Sequence, residues 1–146
     1  MYKYSFEKLD VWHLSRTMAK EVYKFTDKFP SEEKYGLTSQ IRRCSVSISS
    51  NLAEGSSRKS MKDQAHFTQM AYGSLLEMLN QLIISMDLDY ITEAELIEIR
   101  PRIEELENKL NSFRNSQLSR QNKSTNQQIS KSTNKQINTM SLRTSS

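Results

Sequence analysis

Cysteine occurs once, at Cys44, so no internal disulfide can form and a reducing compartment, the cytoplasm, is expected. Three glycines and two prolines in 146 residues are too few for the turns of a sandwich or barrel, and they leave room for long uninterrupted helices. The chain lacks any apolar run near the roughly 18 residues that a membrane span requires. Met1 to Asp10 carry charge throughout with no apolar centre, which reads against a signal peptide. Gly-rich phosphate loops, zinc-ligand spacings and serine elbows do not occur either. What is present is a polar chain, 36% hydrophobic, whose apolar residues recur at helical spacing.

The net charge of +4 is unevenly distributed. Residues 1–121 hold 17 Lys/Arg against 17 Asp/Glu, whereas Lys123, Lys131, Lys135 and Arg143 lie beyond them with no acid. The excess positive charge therefore belongs to the tail, and it does not by itself imply a basic binding fold. Within the body, residues 1–86 carry 12 positive and 9 negative groups, and residues 87–121 carry 5 and 8. The tail is also distinct in composition: from Asn122 it is almost wholly Ser, Thr, Asn, Gln and Lys, and an eight-residue repeat (KSTNQQIS, KSTNKQIN) runs from Lys123 to Asn138. Such a segment buries too little apolar surface to offset the entropy of ordering, so residues 119–146 are expected to form a disordered low-complexity tail behind a folded domain at 1–118.

Four helices follow from the periodicity. Val11, Leu14, Met18, Val22, Phe25 and Phe29 share a face of the first, which ends at Pro30, with Ser31 placed to cap the next. The second, about 32–54, contains the strand-like alternation Cys44 to Ser49. Leu37, Ile41, Cys44 and Ile48 nevertheless keep helical spacing, and Gly55 is placed as its C-terminal cap. The third opens with Ser60-x-x-Asp63 and carries Met61, Ala65, Thr68, Tyr72, Leu75, Leu79, Leu82 and Met86. The fourth opens with Thr92-x-x-Glu95 and runs through Leu96, Ile99, Ile103, Leu106, Leu110 and Phe113, with Pro101 expected to kink it or split off its first turns. Short connections make neighbours antiparallel, so the fold class is all-α, an antiparallel up-down-up-down four-helix bundle with a disordered C-terminal tail.

Several ordered segments carry a resemblance. Phe29-Pro30, then Glu33 to Arg43 (EKYGLTSQIRR), Ser47 to Gly55 (SISSNLAEG) and Gly73 to Glu77 (GSLLE) resemble the signature of the proteins encoded by intervening sequences of bacterial 23S rRNA genes. The resemblance covers roughly residues 6–113 and omits the tail. That family is similar in fold to the accessory variability determinant of diversity-generating retroelements, a basic pentameric bundle that binds nucleic acid and a reverse transcriptase. The resemblance thus implies a bundle that forms a homo-oligomer, a pentamer by analogy. Independently, Met70 and Ile84 fall opposite the third helix's core face, Leu76 and Ile83 on its flank, and Val46 and Ala53 outward on the second helix, which suggests a second buried face.

The one constellation resembling a site is basic. Arg42 and Arg43 on the outer face of the second helix, with Arg58, Lys59 and Lys62 at its junction with the third, are expected to form a nucleic-acid-binding patch, since clustered cations bind phosphates by counterion release and bidentate contacts. In the alternative, Arg42 or Arg43 pairs with Glu54 or Glu77 and the others form a solvated loop. Asp63-x-x-His66 is half of a di-iron motif without its second half, and Cys44 sits at a core position, so no metal, cofactor, catalytic residue or small-molecule substrate is expected. Two classes of function remain: a module that binds structured RNA as an oligomer, or a self-assembling adaptor with a protein partner.

Overall fold

The computed structural model describes residues 1–144. Its helices are α1 (Asp10–Thr26), α2 (Leu37–Gly55), α3 (Met61–Asp87) and α4 (Glu93–Arg143), with short 3-10 turns at Ser5–Lys8 and Ser31–Glu33. Each helix packs on the next in chain order, α2 on α3 most extensively, and α4 closes the ring on α1 through the thinnest seam. The backbones of the diagonal pairs, α1 with α3 and α2 with α4, stay farther apart than those of neighbours among the described residues. Cross-helix bonds fix the direction: Thr68 bonds Gln117 and Tyr72 bonds Glu107, while Gln40 approaches Gln81 and Ser47 meets Ser74. As one residue number rises its partner's falls, so neighbours are antiparallel and the expected up-down-up-down bundle is the observed one.

The core comes from the periodic residues, with its centre shifted. Ile41, Ile48, Leu75, Met78, Leu82, Ile103, Leu106 and Leu110 are fully buried; each such side chain contributes about 1.5–3 kcal/mol through burial. On α1 the innermost stripe runs through Val11, Ser15, Met18, Val22 and Thr26, leaving Leu14 and Phe25 half-buried. The two hydroxyls are tolerated there because each donates to a carbonyl of its own helix, Ser15 to Trp12 O and Thr26 to Val22 O, both at 2.8 Å. On α3 the shift is similar, toward α2, with Ala71 and Met78 inside and Tyr72, Leu79 and Met86 at the flank.

The punctuation of the helices partly departs from expectation. Thr92 and Glu95 form the full capping box, and Ser60 accepts from Asp63 N at 3.1 Å. Ser31 caps nothing; it begins its own 3-10 turn, and α2 starts one turn later than expected, with Glu33 Oε2 accepting from Leu37 N at 2.8 Å. Gly36 makes this possible, because a Cβ there would lie 2.5 Å from the same Glu33 oxygen. Gly55 is not a left-handed cap. It is the last residue of α2, where a Cβ would meet Phe67 Cβ at 2.7 Å, so its role is the close approach of α2 to α3. Pro101 does not split α4; it lies on the exposed face, where water can satisfy the Ile97 carbonyl that the missing N–H leaves.

The largest departure is the tail. Residues 119–146 were expected to be disordered; 145 and 146 lie outside the described residues, and 119–143 instead continue α4 as helix, with every residue from Asn122 to Thr144 exposed. No glycine or proline interrupts them. Propagation adds one backbone bond per residue once the packed half of α4 has met the cost of nucleation. The hydroxyls of Thr125, Ser130, Thr133 and Thr139 turn back onto carbonyls four residues earlier, so they do not compete with the helix from outside it. The last buried side chain among the described residues is Gln117, which accepts from the Thr68 hydroxyl at 2.8 Å.

Candidate nucleic-acid interface

The five basic residues singled out from sequence do not form one patch. Arg43 and Gly55 are twelve residues apart on α2, about 18 Å along its axis at 1.5 Å per residue, and Arg58, Lys59 and Lys62 lie beyond that glycine. The structure therefore separates a pair at the beginning of α2 from a trio at its end.

At the end of α2, Arg58 pairs with Glu54 at 2.8 Å and stacks over the Phe67 ring at 4.5 Å, while Lys59 and Lys62 point into solvent. One of these three charges is thus already matched.

The beginning of α2 is different. Arg42 Nε donates to Thr26 Oγ1 at 2.8 Å, its Nη2 donates to Asp27 Oδ1 at 2.9 Å and Tyr23 O at 3.2 Å, and its guanidinium lies 4.6 Å from the Tyr23 ring centre. It fastens α2 to the end of α1, and its ion-pair partner is Asp27 rather than Glu54 or Glu77. Arg43, one residue on, is exposed and forms no salt bridge among the described residues. Around these two the turn before α2 brings Lys34 and Tyr35, with the Lys34 ammonium 5.4 Å from the Tyr35 ring centre.

Together these groups line an open basin of about 720 Å³. Its walls hold Lys34, Arg42 and Arg43, the rings of Tyr23 and Tyr35, and the small polar residues Thr38, Ser39, Ser47 and Ser50 around Val46; no carboxylate is among them. Tyr35 is 88% exposed and Tyr23 44%. The buried Thr38 hydroxyl makes no hydrogen bond among the described residues. Sequence reasoning found Arg42 and Arg43 and missed Lys34, Tyr23 and Tyr35. A signal was available in the spacing Tyr35, Ser39, Arg43, Val46, Ser50, which is one outward face of α2 extended back into its turn.

Other concavities are less selective. The groove between α1 and α4, about 380 Å³, is lined by opposed charges that match one another, Glu21 with Arg102 and Lys28 with Glu95. Cys44 is buried, and that burial, reinforced by the Glu77 carboxylate, pushes its thiol up to about 11, so it stays protonated as a small core group. His13 Nε2 lies 2.7 Å from Glu7 O, His66 packs on Phe67, and no group of three metal-ligating side chains occurs among the described residues. None of the helices is long and apolar enough to cross a membrane.

Residues 7–112 match the profile of the family described as 23S rRNA-intervening sequence protein. The chain belongs to this family. The matched span contains the bundle and the basin, and it excludes the exposed half of α4. Among solved structures, the chain is similar to a protein of unknown function from the S23 ribosomal protein family of Bacteroides thetaiotaomicron. The two are 21% identical with a TM-score of 0.65, over 72% of this chain and 95% of the other. At that identity the likeness concerns the fold. No curated protein matches the chain.

Proposed function

We propose that this family member is a non-enzymatic nucleic-acid-binding bundle of the cytoplasm, and that its contact surface is the basin at the beginning of α2. The observation that carries the reading is the lining: three cations and two tyrosines converge on one concavity without a carboxylate. Phosphates would be held by Lys34 and Arg43, with Arg42, already fixed by Asp27 and Thr26, contributing its remaining guanidinium edge. The body is neutral as a whole, so affinity would come from this local convergence rather than from a general positive field.

Assembly supports the same role. Met70, Leu76 and Ile84 are exposed on the outer side of α3, with Leu88 just after its end, and Gly73 has open space where a side chain would stand; Val46, expected to join such a face, lies in the basin instead. A homo-oligomer built on these residues, a pentamer by family analogy, would present the basin several times and multiply a weak single contact. If assembly is the whole function, the protein is an adaptor for a protein partner.

The test is fluorescence anisotropy with a structured RNA across a salt series. It uses the full chain, a chain ending at Leu118, and the Lys34→Glu/Arg43→Glu variant, with the mass in solution measured alongside. The folded-body reading expects both unsubstituted chains to bind with a steep salt slope that the double reversal removes. Binding by the full chain alone would assign the affinity to the lysines of distal α4, and an oligomer without RNA affinity would favour the adaptor.

A further inference from the structure

From the two tyrosines we infer that the basin takes unpaired nucleotides, stacking a base on Tyr35 while Lys34 and Arg43 hold the adjoining phosphates; this rests on the nucleic-acid reading above. A cation cluster alone does not distinguish a duplex from a single strand, because both offer phosphates. Aromatic faces do distinguish them. In a duplex each base face is already stacked on its neighbours, and only unpaired bases can turn a face toward a side chain.

Tyr35 is placed for that contact. It stands on the turn between the Ser31–Glu33 segment and α2, and at 88% exposed its ring gains little from packing within the chain. Lys34 lies over the ring. A ring has two faces, so the one away from Lys34 is left for a base, and the flexible Lys34 stem can carry its ammonium round the ring edge to the phosphate of that nucleotide. Tyr23, on the opposite wall, has one face occupied by the Arg42 guanidinium and is 44% exposed, which makes it a second platform for the next base. Ser39, one turn before Arg43, and Ser50, two turns beyond it, are both exposed in the lining and supply hydroxyls for sugar or phosphate oxygens. The basin is open, with its polar and charged groups set around Val46, which suits a chain that lies across it.

The experiment compares three fluorescent probes: a 12-nucleotide oligouridine, a 12-base-pair RNA duplex, and an abasic ribose-phosphate strand of the same length. Each is titrated with the full chain, Tyr35→Ala, Tyr35→Phe and Arg43→Gln across a salt series. Oligouridine should bind at least roughly tenfold more tightly than the duplex or the abasic strand. Tyr35→Ala should weaken oligouridine binding by about 5- to 160-fold, the range for loss of one base–aromatic stack, and leave the salt slope unchanged; Tyr35→Phe should keep the affinity. Arg43→Gln should lower the salt slope by about 0.7, the change for one lost phosphate contact on a single strand. Equal binding of all three probes, insensitive to Tyr35→Ala yet weakened by Arg43→Gln, would overturn base stacking and leave the nucleic-acid reading intact. Absence of salt-dependent binding to any probe would overturn both.

Discussion

The two ends of α2 carry the same residue types and use them differently. At its beginning, Arg42 and Arg43 meet the end of α1 and the turn at Lys34–Gly36, and the result is a concave basin edged by two tyrosines. At its end, Arg58, Lys59 and Lys62 meet the tight junction with α3, where Glu54 and Phe67 hold the one arginine and the two lysines are exposed. Local positive charge is similar at both. What differs is the neighbouring backbone: a loose turn offers room beside the helix, while the Gly55 contact with Phe67 closes it.

The largest change should come from closing that tight junction further. Gly55→Ala puts a methyl 2.7 Å from Phe67 Cβ, an atom next to the backbone that cannot swing aside. The helices must separate, at a cost at the upper end of overpacking, about 3 kcal/mol, readable as a lower urea midpoint.

Next come the arginines. Arg42→Ala removes donors from Thr26 Oγ1, Tyr23 O and Asp27 and uncovers the Tyr23 ring, so a loss of about 1.5–3 kcal/mol is expected, in the range for hydrogen bonds involving a charged group. Arg58→Ala removes one exposed i,i+4 pair and one ring contact, and the loss should stay near or below about 1 kcal/mol. Equal losses at the two positions would break the contrast between a fastened arginine and a solvated one.

The smallest effect is a pH dependence at the beginning of α2. The Tyr90 hydroxyl donates to Glu33 Oε1 at 3.1 Å, the carboxylate whose other oxygen caps Leu37 N, and this bond raises the Tyr90 pKa above its ordinary 10.0. A raised acid pKa in the folded state means the neutral phenol is favoured there. The contribution is therefore fully present below pH 10 and is lost as pH rises through the folded value. Urea midpoints for the native chain and Tyr90→Phe should differ below pH 10 and converge above it, by a difference that isolates Tyr90 from Tyr72, which is raised in the same sense by Glu107.

Periodicity made the bundle legible, and it located α2 despite the strand-like run Cys44 to Ser49, because Ile41, Cys44 and Ile48 needed a single buried face. It could not say which of two adjacent stripes faces inward. Ser15 and Thr26 go to the centre of α1 because their hydroxyls are satisfied within the helix, a property invisible to a count of apolar residues. The tail was misjudged for a related reason: composition measures what a segment can bury, and the distal half of α4 extends a helix already nucleated upstream. Arg42 and Arg43 were legible as charges. Their company was not, since Tyr23 and Lys34–Tyr35 reach them only through the turn that Gly36 and Glu33 shape.

The contrast between the ends of α2 is tested most directly by matched charge reversals in one RNA-binding titration at fixed salt, Lys34→Glu/Arg43→Glu against Lys59→Glu/Lys62→Glu. Each variant changes the net charge by the same amount at exposed positions. Loss of binding on reversal at the basin, with the reversal at the far end changing affinity by less than about threefold, is the predicted result. Equal losses from the two variants would mean that overall charge, and not the basin, holds the RNA, and would contradict the account.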